Sequence, residues 1–177
     1  KTTFLKHVAL RGVNGDLKAV PIFIGLKQLS DSGLSVFDFV VNQFDVCDFP
    51  DAKVYLDKLL KEGTAILLFD GLDEVNVTRD EQPRLISDVE MFTWKYDKCQ
   101  RLITCRSAAS NFTFRGYTYV EMADFTQDEI RDFARNWYGT TSEGADRGAL
   151  FLSELDKPES KGLPDQARVP LLLALIL

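Results

Sequence analysis

The stretch Ala65-Ile66-Leu67-Leu68-Phe69-Asp70-Gly71-Leu72-Asp73-Glu74 decides the fold class of this sequence. Its apolar half has no polar position, as expected of a strand that is buried on both faces in a parallel sheet. The strand then ends abruptly in acidic residues. Burying an acid there is costly unless a ligand or partner uses it, and ligands of open α/β sheets bind at the carboxyl ends of the strands. This stretch therefore predicts a central strand that leads into a binding site.

Further predicted strands alternate with helices on both sides of this one. Residues 20–24 are a short apolar run that predicts a strand, and residues 101–105 are predicted to be the next strand after the central one. Residues 117–122 alternate weakly and predict another. Apolar residues recur at helical spacing in three segments between the strands: Leu34, Phe37, Val41 and Phe44; Tyr55, Leu56, Leu59 and Leu60; Leu85, Val89, Phe92 and Tyr96. This order predicts an α/β three-layer fold with a mostly parallel sheet.

Only helical patterns follow this alternating region. Thr126-Gln127-Asp128-Glu129 has the form of a capping box, in which a threonine hydroxyl and a glutamate satisfy each other's backbone amides. We therefore expect an α/β core over residues 1–125 and the start of a small helical subdomain over residues 126–177. The polar segment 139–146 is predicted to be a loop, and Trp94 and Trp137 are expected to be core residues.

Composition excludes several classes of protein. The 177 residues carry a formal net charge of −6, so there is no basic footprint that would indicate nucleic-acid binding. The three cysteines fit no zinc pattern and are expected to be reduced thiols in the cytosol. The apolar run 169–177 is too short to span a bilayer. Because the sequence opens on Lys1 without a methionine, we treat it as a segment of a longer protein.

Three short elements carry chemistry in a fixed order along the chain. Lys1-Thr2 matches the last two positions of the phosphate-binding loop G-x-x-x-x-G-K-[ST], in which the lysine binds phosphates and the hydroxyl binds Mg²⁺. Asp70 and Asp73 follow the central strand and supply one carboxylate for Mg²⁺ and one for the attacking water. Arg106 follows the next strand, where a guanidinium can bind a phosphate oxygen. The order of the three is more specific than any one of them.

Taken together, these motifs resemble the NACHT domains of the STAND class of P-loop NTPases. The residues that carry the resemblance are Phe69 to Val75 as an extended Walker B motif, Ile103 to Arg106 as a sensor strand, Val20 to Ile24 as the strand after the first helix, and Pro170 to Leu173 as a proline-led helix. The resemblance covers essentially the whole chain. It implies that the segment begins at the Walker A lysine, with the glycines of the loop and the preceding strand upstream.

The resemblance implies a role for each candidate residue. Lys1, Thr2 and Thr3 would bind the phosphates of ATP or ADP, with Thr2 and Asp70 holding Mg²⁺. Asp73 would be the catalytic acid, supported by Glu74, and Arg106 would sense the γ-phosphate. Pro170 would contact the adenine. Val169 stands before it, where family members carry a polar residue.

The function implied by the resemblance is a slowly hydrolysing ATPase switch in a larger cytosolic protein. Such switches self-associate through their NTPase domains and signal, as in innate-immune receptors and bacterial antiviral proteins, and sensor and effector domains would lie elsewhere in the chain. Two alternatives stay open. One is a nucleotide-locked scaffold or interaction module that does not hydrolyse ATP; the other is a housekeeping ATPase with steady turnover.

Overall fold

The computed structural model describes residues 1–75, 81–106, 114–139, 141–157, 159–160 and 162–177, and the backbone alone at residues 81–82. The chain divides into two compact units, residues 1–120 and residues 121–177. The first unit is built from strands and helices in alternation. Its elements are α1 (Thr2–Val13), β1 (Val20–Gly25), α2 (Leu26–Ser32), α3 (Val36–Val46), α4 (Ala52–Glu62), β2 (Ala65–Asp70), a 3₁₀ turn (Leu72–Glu74), α5 (Glu81–Lys95) and β3 (Gln100–Ile103).

The described strands form one parallel sheet in the order β1-β2-β3. Val20 pairs with Ala65 at one end of the β1–β2 ladder and Gly25 with Asp70 at the other. On its second edge β2 pairs with β3, from Ile66 opposite Gln100 to Phe69 opposite Ile103. The strand that the sequence predicted to be central is therefore hydrogen-bonded on both edges, and its five apolar residues are all buried.

Helices cover both faces of the sheet, which explains why β2 is apolar at every position. Ile66 and Leu68 pack against Leu5 of α1 on one face. Leu67 and Phe69 point to the other face, into a larger core shared with α2, α3, α4 and α5. Because successive side chains of a strand alternate between faces, both sets have to be apolar. The layered α/β fold predicted from the sequence is confirmed.

The second unit is helical. It contains α6 (Gln127–Tyr138), α7 (Ser142–Leu155), α8 (Leu163–Ala167) and α9 (Pro170–Ile176). Its own core is centred on Ile130, Leu155, Ala167 and Leu173. The predicted capping box is present: the Thr126 hydroxyl accepts from the Glu129 amide, and the Glu129 carboxylate accepts from the Thr126 amide.

Three expectations from the sequence are wrong. Residues 117–122 form no strand; the Tyr117 ring instead lies 5.2 Å from the Arg101 guanidinium in an irregular segment. Trp94 and Trp137 are about half exposed rather than core residues. The predicted loop 139–146 is shorter than expected, because α7 already begins at Ser142.

Candidate functional site

The candidate residues of the first unit meet at one edge of its sheet. The carboxyl ends of β2 and β3 lie side by side there because the two strands are parallel and in register. The first turn of α1 reaches the same edge. This edge therefore brings together three sets of residues. They are the acidic residues at the end of β2, a hydroxyl and an arginine that follow β3, and the first two residues of the chain.

Asp70 is the centre of this group. Its Oδ1 accepts a hydrogen bond from the Thr2 hydroxyl at 3.1 Å and another from the Thr104 hydroxyl at 2.6 Å. The Thr104 hydroxyl also accepts from the Gly71 amide at 3.0 Å. Three segments that are distant in sequence are thus joined through one carboxylate oxygen.

Lys1 lies at the amino end of α1, beside this carboxylate. Its ammonium donates to the carbonyl of Cys105 at 2.5 Å, which ties the start of α1 to the end of β3. The helix begins without a side-chain cap, so its first-turn amides have no partner from an N-cap side chain. Unpaired amides and the helix dipole favour an anion at this position, and the lysine adds a positive charge.

Asp73 and Arg106 form an ion pair at the same edge. The Arg106 amide donates to Asp73 Oδ1 at 2.9 Å, and its Nε lies 3.1 Å from Oδ2. The Asp73 side chain is only 11% exposed, whereas that of Arg106 is 77% exposed. Glu74 is exposed and folds back beside Gly71, which turns the chain with a φ of 77°. The arginine therefore occupies both oxygens of the predicted catalytic acid.

The other two predicted residues, Thr3 and Pro170, are both exposed. Thr3 is exposed on the first turn of α1 and makes no side-chain hydrogen bond among the described residues. Pro170 is exposed at the start of α9 in the second unit, so its predicted contact with adenine stays a prediction.

Sequence reasoning missed the role of Thr104. The resemblance identifies the segment 103–106 as a sensor strand, but it implies a function for Arg106 alone. A signal was present, since a hydroxyl residue directly follows a strand that neighbours the strand of Asp70. The pairing register decides that Thr104 and Asp70 meet, and the sequence does not give that register.

The Cys105 thiol is not activated in this arrangement. Burial raises the pKa of its thiol, and the nearby Asp73 carboxylate raises it further, while Lys1 lowers it. The thiol therefore stays protonated at neutral pH, and thiolate is the reactive form of cysteine. The contribution of Cys105 to the site is its backbone carbonyl.

Comparison with protein families identifies the chain. A family model, the NACHT domain, matches residues 1–140. This chain belongs to the NACHT family. NACHT domains are P-loop NTPases, which generally bind a nucleotide with Mg²⁺ and typically oligomerise. No curated protein and no solved structure matches the chain.

The residues present fit the Mg²⁺ that a NACHT domain uses. Mg²⁺ prefers oxygen ligands, keeps several waters and needs only one or two side chains. The Thr2 hydroxyl donates its proton to Asp70, which leaves its oxygen lone pairs free, and the two oxygens are 3.1 Å apart. This hydrogen bond holds the Thr2 hydroxyl and the Asp70 carboxylate side by side, as two ligands of one cation have to be. In the described ranges no three His, Cys, Asp or Glu side chains gather into a metal cluster.

None of the helices in the described ranges combines the length and the apolar character needed to cross a lipid bilayer.

Proposed function

We propose that this NACHT chain is the nucleotide-binding core of a slowly hydrolysing ATPase switch. The observation that carries the proposal is the convergence of Thr2, Asp70 and Thr104 beside Lys1 at the carboxyl edge of the sheet. An acidic strand end, a hydroxyl and a lysine at a helix start are the groups that an Mg²⁺-bound triphosphate needs.

In this proposal Lys1 leaves the Cys105 carbonyl and binds the β- and γ-phosphates. The first-turn amides of α1, including that of Thr3, donate to phosphate oxygens. Thr2 and Asp70 hold Mg²⁺, which neutralises charge on the phosphates. Pro170 contacts the adenine.

Hydrolysis is assigned to Asp73, Glu74 and Arg106. Asp73 orients the attacking water and accepts its proton, and Glu74 supports it. Arg106 binds the γ-phosphate, so its ion pair with Asp73 has to open first. Because one residue blocks the acid and also senses the substrate, turnover is slow and depends on a bound triphosphate.

The biological setting rests on family resemblance alone. The ADP form is the closed state, and the ATP form self-associates through the NTPase domains and signals. The chain acts in a larger cytosolic protein with sensor and effector domains, in innate immunity or antiviral defence.

One observation favours a second candidate, a nucleotide-locked scaffold that does not hydrolyse ATP. Arg106 contacts both oxygens of Asp73 and competes for them with an attacking water. If the pair persists with ATP bound, the site binds nucleotide without turnover. Measured phosphate release by the wild type, lost in Asp73→Asn, would exclude this candidate.

Calorimetric titration of the full protein with ATP and ADP, in the presence of Mg²⁺, tests the proposal. Loss of a charged hydrogen bond to phosphate weakens binding about 10- to 100-fold, which is the result expected for Lys1→Ala. Lys6→Ala is the matched control, since Lys6 is exposed on the same helix, beyond its first turn. The proposal would be abandoned if the wild type bound neither nucleotide.

A further inference from the structure

Thr104 is held in place by its backbone. It directly follows β3, and its amide donates to the Phe69 carbonyl at 2.9 Å. Its own carbonyl accepts from the Leu72 amide at 3.0 Å. These bonds extend the pairing of β2 and β3 past the last paired residues, so the position of Thr104 does not depend on its side chain.

The Thr104 hydroxyl has one possible orientation in this setting. It accepts from the Gly71 amide at 3.0 Å, and an amide nitrogen can only donate. The single hydroxyl proton is therefore left for Asp70 Oδ1, which lies 2.6 Å away. The hydroxyl acts as a fixed link from the Gly71 backbone to the carboxylate.

This link determines how Asp70 presents its two oxygens. Oδ1 receives the protons of both Thr104 and Thr2. No hydrogen bond from the described part of the chain reaches Oδ2. With Oδ1 fixed by two donors, the plane of the carboxylate is set, and Oδ2 stays available to a ligand.

We infer that Thr104 is a positioning residue that orients the Asp70 carboxylate toward Mg²⁺. The inference rests on the proposed function, because it assumes that the site binds a nucleotide with Mg²⁺. Groups that orient a metal ligand typically change metal affinity about 10- to 100-fold when they are removed. Thr104 serves the site through Asp70 and needs no contact with the nucleotide.

The test compares three variants of the full protein. Thr104→Val removes the hydroxyl at nearly constant shape, and Thr104→Ser keeps it. Thr64→Val is the matched control: it removes a hydroxyl that bonds the Leu59 carbonyl at the other end of β2. For each protein, ATP binding is measured in EDTA and over a series of Mg²⁺ concentrations.

We expect Thr104→Val to need about tenfold more Mg²⁺ for half-maximal enhancement of ATP binding. Binding in EDTA should not change, since the hydroxyl acts only through the metal ligand. Thr104→Ser should restore most of the Mg²⁺ response, and Thr64→Val should equal the wild type. An unchanged Mg²⁺ response in Thr104→Val, or an equal loss with and without Mg²⁺, would overturn the inference.

A second measurement needs no nucleotide. Urea unfolding of the wild type, Thr104→Val, Asp70→Asn and the double variant gives the coupling between the two side chains. Non-additive effects are expected, whereas strict additivity would contradict the link. If the wild type binds no ATP, the proposed function fails. The unfolding measurements on these four proteins still decide whether the Thr104 hydroxyl holds the Asp70 carboxylate.

Discussion

At the scale of single residues, the ion pair between Asp73 and Arg106 has the clearest functional consequence. The guanidinium is exposed and the carboxylate is nearly buried, so the arginine can move more easily than the acid. A γ-phosphate offers Arg106 a second anionic partner with more acceptor oxygens. Competition between the two anions would link the presence of ATP to the release of Asp73.

Replacing Arg106 should reduce discrimination between ATP and ADP. We expect Arg106→Ala to weaken ATP binding about tenfold, the cost of one charged hydrogen bond, and to leave ADP binding unchanged. Calorimetry with both nucleotides measures the ratio of the ATP affinity to the ADP affinity. Arg106→Lys keeps the charge without the planar fork and should recover the ratio only in part; an equal loss for both nucleotides would refute a γ-phosphate role.

The cysteines should differ in reactivity according to their burial. Cys47 is exposed, whereas Cys99 is buried and Cys105 is half-buried. Burial raises the pKa of the Cys99 thiol. It also raises the pKa of the Cys105 thiol, which is less completely buried. Alkylation at neutral pH, followed by mass spectrometry, should therefore modify Cys47 first and Cys99 last. Early modification of Cys99 would contradict the packing of the first unit.

At the scale of single elements, α6 is the helix whose start the sequence specifies most fully. Thr126 and Glu129 satisfy each other's backbone amides, and Phe125 packs in the same core as Ile130 on the first turns. All the groups involved lie within six residues of each other. Because its interactions join neighbouring residues, a capping box can be predicted from the sequence.

Removing the cap should destabilise α6. Thr126→Ala leaves the Glu129 amide without its acceptor, which costs about 1 kcal/mol in the free energy of unfolding. Chemical denaturation followed by circular dichroism measures the change. Gln127→Ala, at the next position and without a capping bond, is the control and should change stability by less than about 0.5 kcal/mol.

The same cap should make stability depend on pH. The hydrogen bond from the Thr126 backbone, and then that from its hydroxyl, lower the pKa of Glu129 below 4.5. Because the folded pKa is below the unfolded one, the contribution of the carboxylate is complete above pH 4.5 and is lost as pH falls through the folded pKa.

Glu129→Gln isolates this dependence, since glutamine keeps an acceptor oxygen but does not titrate. The wild type should be more stable than Glu129→Gln near neutral pH, and the difference should shrink below pH 4.5. Denaturation curves of both proteins across this range give the comparison. A difference that stays constant with pH would show that the ionised carboxylate contributes nothing.

The helix α3 shows the limit of periodicity. Leu34 of the predicted apolar stripe is exposed and lies before α3 begins. Phe37, Val41 and Phe44 lie on the helix but are only partly buried. Val36 and Val40 are buried more deeply. Because α3 is apolar on most sides, spacing alone cannot identify which side faces the sheet; packing against α4 and α5 decides it.

At the scale of the whole molecule, stability depends on the central strand. Leu67 of β2 is fully buried in the larger core. Leu67→Ala removes packing between the sheet and the helices on that face and should lower the free energy of unfolding by about 2–5 kcal/mol. Val54→Ala, at a position that is 71% exposed, should change it by less than about 0.5 kcal/mol. Urea unfolding of both variants measures the difference, and similar values would show that β2 is not central.

The sequence by itself determined the α/β class, the central strand, the capping box and the family. Each of these is encoded in neighbouring residues, through side-chain alternation, local hydrogen bonds or a contiguous motif such as residues 69–75. It also named Asp70, Asp73 and Arg106, because acids and cations at strand ends are unusual. The prediction of a strand over Tyr117–Met122 is wrong, since weak alternation of apolar and polar residues does not guarantee a neighbouring strand to pair with.

Only the tertiary structure decided which of these residues meet. The parallel register of β2 and β3 brings the Thr104 hydroxyl to Asp70 and Arg106 to Asp73. Trp94 and Trp137 share the helical spacing of core residues and are still half exposed. Contacts between residues that are more than 30 positions apart depend on register and helix rotation, and both are set by the packing of the whole core.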